Sequence, residues 1–213
     1  EGFDHDLEYY ISQTGSDAYS PQLSHMLIAL SNAVHNERNI KDSMKELGFR
    51  YKDMHTRYSE NEWRDEISYA FGKKTLSNGK KLVLVTIRGT ITSYENWSNL
   101  DIGSSVLGCF WHKGFEVAAN AVYNDLKNFT GGTFENTTFV ITGHSRGGAT
   151  ANLLEVLLFN NKVANADVYG YNFACPDVAT GLPTGWNYFG EHNNIFNIGN
   201  APDFISVVPG ELG

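Results

Sequence analysis

Cysteine is nearly missing from this 213-residue chain, proline is sparse, and no apolar run is long. Each shortage excludes something. The two cysteines, Cys109 and Cys175, have neither metal-ligand spacing nor the number that a disulfide framework needs. Purely apolar runs such as 82–85 ("LVLV") fall far short of a membrane span. Positive charge is short as well: 16 Lys and Arg stand against 24 Asp and Glu, for a net charge of −8. A chain with no basic stripe does not meet a phosphate backbone, so a nucleic-acid partner is excluded. The chain opens at Glu1, without Met and without a leader pattern, which reads as a processed chain or a piece of a longer one. Asn96-Trp-Ser, Asn128-Phe-Thr and Asn136-Thr-Thr match the glycosylation triplet. Such triplets arise by chance in an Asn-rich chain, so no inference rests on them.

What remains is a composition that folds. Apolar residues make up 41% and charged residues 19%, the balance of a globular chain with a core to bury. The length suits one domain over 1–213, with N-terminal helices and a first strand in 1–60 and the main body in 61–213. Leu23, Met26, Leu27, Leu30 and Val34 recur at helical spacing after Pro21. Ile40, Met44 and Leu47 predict a second helix that Gly48 stops. Then the period shortens. Phe49 and Tyr51, and later Ile67, Tyr69 and Phe71, alternate with polar residues and read as strands. Ser77-Asn78-Gly79 predicts the turn of a hairpin whose second strand, 82–87, is apolar on both faces and therefore central.

Phe115, Ala118, Val122, Leu126 and Phe129 mark one apolar stripe of a helix. Buried strands follow at 137–142, 167–173 and 194–198, with a helix from Ser145 to about Asn160 between the first two. Strands alternating with helices imply βαβ units. The fold class is α/β, a mostly parallel sheet flanked by helices, with an antiparallel hairpin on its N-terminal side.

Gly143-His144-Ser145-Arg146-Gly147 fits G-x-S-x-G, with a buried strand before it and an apolar helix after it. That context gives the pattern its meaning. A sharp strand-to-helix turn lifts a hydroxyl above the sheet edge, and glycines on either side let strand and helix pass close beneath it. The helix N-terminus adds positive partial charge where an oxyanion would form. One donor to that oxyanion would be the backbone N–H of Arg146. A second should come from the end of an earlier central strand, where Arg88-Gly89-Thr90 stands. By itself that triplet is an ordinary strand-ending turn.

The segments "TIRGT", "NWSNLD", "HKGF", "FVITGHSRGGATANLL", "YNFACPDVA" and "NIGNAPDFISVVP", in that order, resemble the class 3 lipases, the α/β-hydrolases similar to fungal triacylglycerol lipases. The resemblance runs from about residue 65 to the end. It implies Ser145 as nucleophile, Thr90 as an oxyanion residue and Asp203 as the acid. It also implies hydrolysis of carboxylic esters of lipids through an acyl-enzyme. No cofactor or metal is needed for that chemistry. The resemblance implies lipid esters and, transiently, lipid surfaces as partners, and a secreted setting, with a cytoplasmic one as the alternative.

Asp203 also stands on its own place in the chain. It follows the strand at 194–198 and so lies at the same sheet edge as Ser145, where catalytic groups of open α/β sheets gather. The alternative for Asp203 is a turn cap after Pro202. Ser before Asp is the α/β-hydrolase order, which requires a His last, yet no His follows Asp203. His144 belongs to the turn and should point away from the hydroxyl. His192 precedes the strand at 194–198, about five residues of ~3.3 Å, or roughly 16 Å, from the catalytic edge. His5, His25, His35 and His55 sit in the N-terminal part. His112 is on the right edge, where the family has a His without a base role. The base is therefore expected in a C-terminal segment beyond these residues. The alternatives are His112 in that role, or a catalytically inert fragment or binding module.

Two departures remain. Arg146 replaces the apolar residue, often Leu, that the family has after the nucleophile. Its backbone donor survives, and its side chain is a solvent-facing or ion-paired Arg, or else a contact for an anionic headgroup. The stretch 91–111, with Trp97, Phe110 and Trp111, is either a lid or a loop packed on the core.

Overall fold

The computed structural model describes residues 6–58, 67–89, 102–106, 109–164, 167–176, 179–180 and 193–199, with the backbone alone at 102–106, 109–113 and 179–180. Three helices come first: α1 (Leu7–Gln13), α2 (Pro21–Ala33) and α3 (Glu37–Glu46). Their starts follow from side-chain caps. Ser20 Oγ accepts from the Leu23 N–H at 3.3 Å, with Pro21 in the first turn. Asn36 Oδ1 accepts from Arg38 N–H at 3.0 Å and Asn39 N–H at 3.1 Å. Gly48, at φ 84°, ends α3 in the left-handed conformation that glycine adopts without strain.

Strands β1 (Met54–Arg57), β2 (Tyr69–Thr75) and β3 (Lys81–Ile87) form the antiparallel side of the main sheet. The expected strand at 49–51 is corrected here. Tyr51–Asp53 is a 3-10 turn, and Phe49 is buried against Gly72 of β2, where even a Cβ would lie 2.9 Å from its ring. The alternation of two aromatics came from one packing against the sheet and one facing solvent, without strand pairing. The hairpin between β2 and β3 is as expected, with Gly79 at φ 83°.

Two strands then form a small antiparallel sheet, β4 (Ile102–Val106) and β5 (Cys109–His112). β5 runs directly into α4 (Lys113–Phe129). The main sheet resumes with β6 (Thr137–His144), α5 (Arg146–Asn160) and β7 (Val168–Phe173). β8 (Ala179–Thr180) joins the small sheet beside β5, and β9 (Ile195–Ile198) joins the main one. The main sheet has the order β1-β2-β3-β6-β7-β9, parallel from β3 onward. The reading of 91–111 as lid or loop is corrected over 102–106 and 109–111, which are strands; 91–101 and 107–108 lie outside the described residues.

The strand period sorts residues to two cores. Leu82 and Leu84 of β3 pack with α1, α2 and α3, while Val83, Val85 and Ile87 pack with α4 and α5. Tyr169, Tyr171 and Phe173 of β7 share the first core, and Val168 the second. A parallel strand covered by helices on both faces must be apolar throughout, which is why "LVLV" carries no alternation.

Candidate active site

Ser145 stands between β6 and α5, at the carboxyl edge of the parallel strands. Its backbone has φ 56° and ψ −127°, a conformation that only glycine adopts readily. Its N–H donates to the Phe173 carbonyl at 2.8 Å, and its own carbonyl accepts from the Ala149 N–H at 3.1 Å. The turn is thus tied to β7 on one side and to α5 on the other.

Three glycines make this turn possible. A Cβ on Gly143 would lie 2.3 Å from the Gly147 carbonyl carbon, and one on Gly147 would lie 2.3 Å from the Ile87 carbonyl oxygen. A Cβ on Gly89 would lie 2.6 Å from the His144 carbonyl oxygen and 3.6 Å from Ser145 Cβ. Each neighbour is backbone and cannot swing aside. The end of β3 therefore lies directly against the turn, which puts Gly89, and with it the start of the Arg88-Gly89-Thr90 segment, beside Ser145.

The expected site residues fall on both sides of what is described. Ser145 is buried, 8% exposed, and Arg146 is half-buried at the first position of α5. Thr90 and Asp203 lie outside the described residues, as do His5, His192 and the side chain of His112. Among the described residues, Ser145 Oγ makes no hydrogen bond to any histidine. His55 is remote, on β1 opposite Phe71, among the rings of Tyr69, Phe71 and Phe129. His25 is exposed on α2. His144 is exposed at the end of β6. His35 is half-buried near it, and burial first, then the charges of Arg88 and His144, hold its pKa below the ordinary imidazole value. Arg88 lies over the Tyr58 ring, 5.5 Å from its centroid, and the Tyr58 hydroxyl donates to the Val34 carbonyl at 2.6 Å.

Beneath the turn is a polar cluster that the sequence reading missed. Asn152 and Glu155 of α5 and Asn172 of β7 are all buried. Asn172 Nδ2 donates to Asn152 Oδ1 at 2.8 Å and approaches the Glu155 carboxyl oxygens at 3.3 and 3.4 Å. Asn152 Nδ2 donates in turn to Asn197 Oδ1 of β9 at 3.0 Å. Burial raises the Glu155 pKa well above the ordinary carboxylate range, with the Asn172 hydrogen bond opposing it. The signal was legible: in "ATANLLEVLLF" Asn152 and Glu155 interrupt an otherwise apolar helix three residues apart, on one face. Cys175 packs under the same turn. A Cβ on Gly148 would lie 2.3 Å from its sulfur, and burial pushes its pKa far up, with Glu155 adding to the shift.

Among the described residues, no group of three or more His, Cys, Asp or Glu could hold a metal ion. None of the described helices is long and apolar enough to cross a membrane.

A sheet parallel from β3 to β9, with helices on both faces and a serine on a strained strand-to-helix turn at its carboxyl edge, is the α/β-hydrolase arrangement. Within that class, the chain belongs to the class 3 lipase family, whose model, Lipase (class 3), matches residues 77–213. It is 39% identical over 93 residues to the secreted mono- and diacylglycerol lipase 1 of Fusarium solani, covering 38% of this chain and 26% of that protein. Its fold is similar to the Rhizomucor miehei lipase propeptide complex, with TM-score 0.64 and 20% identity, covering 91% of this chain and 64% of that one. It is similar also to lipase II from Rhizopus niveus, with TM-score 0.65 and 18% identity, covering 90% of this chain and 76% of that one. The chain thus spans about a quarter of the length of the Fusarium relative and under two thirds of the Rhizomucor one.

Proposed function

We propose that this protein hydrolyses carboxylic esters of lipids, acylglycerols first, through an acyl-enzyme on Ser145. The observation that supports this most is the backbone of Ser145, at φ 56° and ψ −127°, between three glycines that no larger residue could replace. Strain of this kind costs about 1–3 kcal/mol and persists where the surrounding structure enforces it. Ser145 Oγ attacks the ester carbonyl. The Arg146 N–H, at the start of α5, and Thr90, next to Gly89, stabilise the oxyanion. Asp203 orients the base.

The Fusarium relative's name adds two features to the reading: an acylglycerol substrate and a secreted setting. Arg146 places a positive charge one residue after the nucleophile, half-buried at the start of α5.

The base is not among the residues given a role here, and a triad working without its base typically loses about 10⁴-fold or more in rate. The test is therefore covalent labelling of these 213 residues by a fluorophosphonate, with peptide mapping and Ser145→Ala as control. Rapid labelling at Ser145 is the expected result if the base lies within them, and His112→Ala is then the next variant. A folded chain that stays unlabelled moves the search for the base to a segment beyond these residues, and a full protein that also stays unlabelled favours the second reading, a hydrolase fold without an activated nucleophile.

A further inference from the structure

The buried cluster under Ser145 is not needed for packing alone. A helix buried on all sides is cheapest when apolar, yet α5 places Asn152 and Glu155 on the face that meets the sheet. The sheet answers with a prepared row. Ile87, Gly143, Asn172 and Asn197 are register partners across β3, β6, β7 and β9, one row below the turn. The first turn of α5 rests on Ile87 and Gly143 through bare glycine contacts. Further along, α5 reaches Asn172 and Asn197 through side-chain amides. Gly170, two residues before Asn172 on the same face, leaves the space for the Glu155 carboxyl; a Cβ there would lie 2.5 Å from one of its oxygens. Asn172 Oδ1 has no partner among the described residues, so an acceptor stands next to a carboxyl whose pKa burial raises.

We propose that Asn152, Glu155, Asn172 and Asn197 form a positioning clamp that holds the Ser145-bearing end of α5 in register with β9, the strand that runs on toward Asp203. This rests on the reading of Ser145 as nucleophile and Asp203 as acid. None of the four touches substrate. Their effect is on where the nucleophile sits relative to the strand that leads to the acid, and misplacement by about 1 Å is enough to cost on the order of a hundredfold in rate.

Asn197 is the place to test it, because it is exposed and its loss leaves the core intact. In the full protein, Asn197→Ala removes the acceptor for Asn152, and Asn197→Asp keeps one. Two readouts are needed, and one does not depend on catalysis. Hydrogen–deuterium exchange of the amides at 146–150 is expected to quicken about tenfold in Asn197→Ala, with β2 and β3 unchanged, and to return in Asn197→Asp. The kcat for a soluble short-chain ester, and the fluorophosphonate labelling rate, are expected to fall about tenfold with KM within about twofold, and to be rescued by Asn197→Asp. Unchanged exchange overturns the clamp. Faster exchange with unchanged kcat and labelling overturns its positioning role. A wild-type full protein that is not labelled at Ser145 overturns the proposed function instead, and exchange then still decides whether Asn197 holds α5.

Discussion

Ser145 shows how much a single residue can be asked to endure. Its φ of 56° lies where a Cβ crowds the backbone, and its ψ of −127° is that of a turn position that glycine prefers. The hydrogen bond to Phe173 and the glycines at 89, 143 and 147 hold it there. Ser145→Gly should therefore stabilise the fold by about 1–2 kcal/mol while abolishing fluorophosphonate labelling. Thermal melts of the two chains check the first part, and a fall in melting temperature would mean the turn is unstrained. The motif was legible in the sequence because glycine at fixed offsets is a steric statement. The strain was not, since it needs coordinates from β3, β6 and β7 together.

At the scale of elements, α5 is where sequence reading came closest and still fell short. Its span was legible from the apolar run, and so were α2, α3, α4 and the parallel strands, because period and caps are local. Its polar contacts were not, because Asn152, Asn172 and Asn197 meet only once the sheet is ordered. Glu155 makes a prediction at this scale. Burial raises its pKa, so the native chain keeps a proton that the unfolded chain releases. The stability tied to that proton is complete below the ordinary carboxylate range. It is lost as pH rises above that range, by up to about 1.4 kcal/mol per pH unit, until native Glu155 itself ionises. Cys175 is the titratable neighbour, and it is neutral in this range because its own pKa is raised. Glu155→Gln keeps the shape without the titration. Its stability relative to wild type should rise as pH climbs above the ordinary carboxylate range, and level off once native Glu155 ionises, which denaturant unfolding at several pH values would measure. A constant difference across those pH values would mean Glu155 is already ionised in the fold.

The whole molecule is held by ties between residues far apart in the chain. The Tyr171 hydroxyl accepts from the Ser20 N–H at 2.9 Å, and the Tyr169 hydroxyl donates to the Thr14 carbonyl at 3.1 Å. Both strap the α1–α2 segment onto the face of β7, where Tyr19 and Phe196 also pack on Tyr171. Tyr171→Phe leaves the buried Ser20 N–H without a partner and should cost about 1–2 kcal/mol, with labelling at Ser145 unchanged. Equilibrium unfolding gives the first number, and an unaltered midpoint would show that water replaces the hydroxyl.

Sequence by itself determined the fold class, the order of most elements and the serine turn. Each rests on local periodicity or on glycines whose missing Cβ is a local fact. It misread 49–51, where two aromatics alternate in exposure without pairing to a strand, and it saw no strands at 102–106 or 109–112, whose partners lie across the small sheet. The tertiary structure alone decided the strain at Ser145, the approach of Gly89 to it and the amide row under α5. All three depend on which strands become neighbours, and that is settled by packing two helical layers onto one sheet rather than by any stretch of the chain.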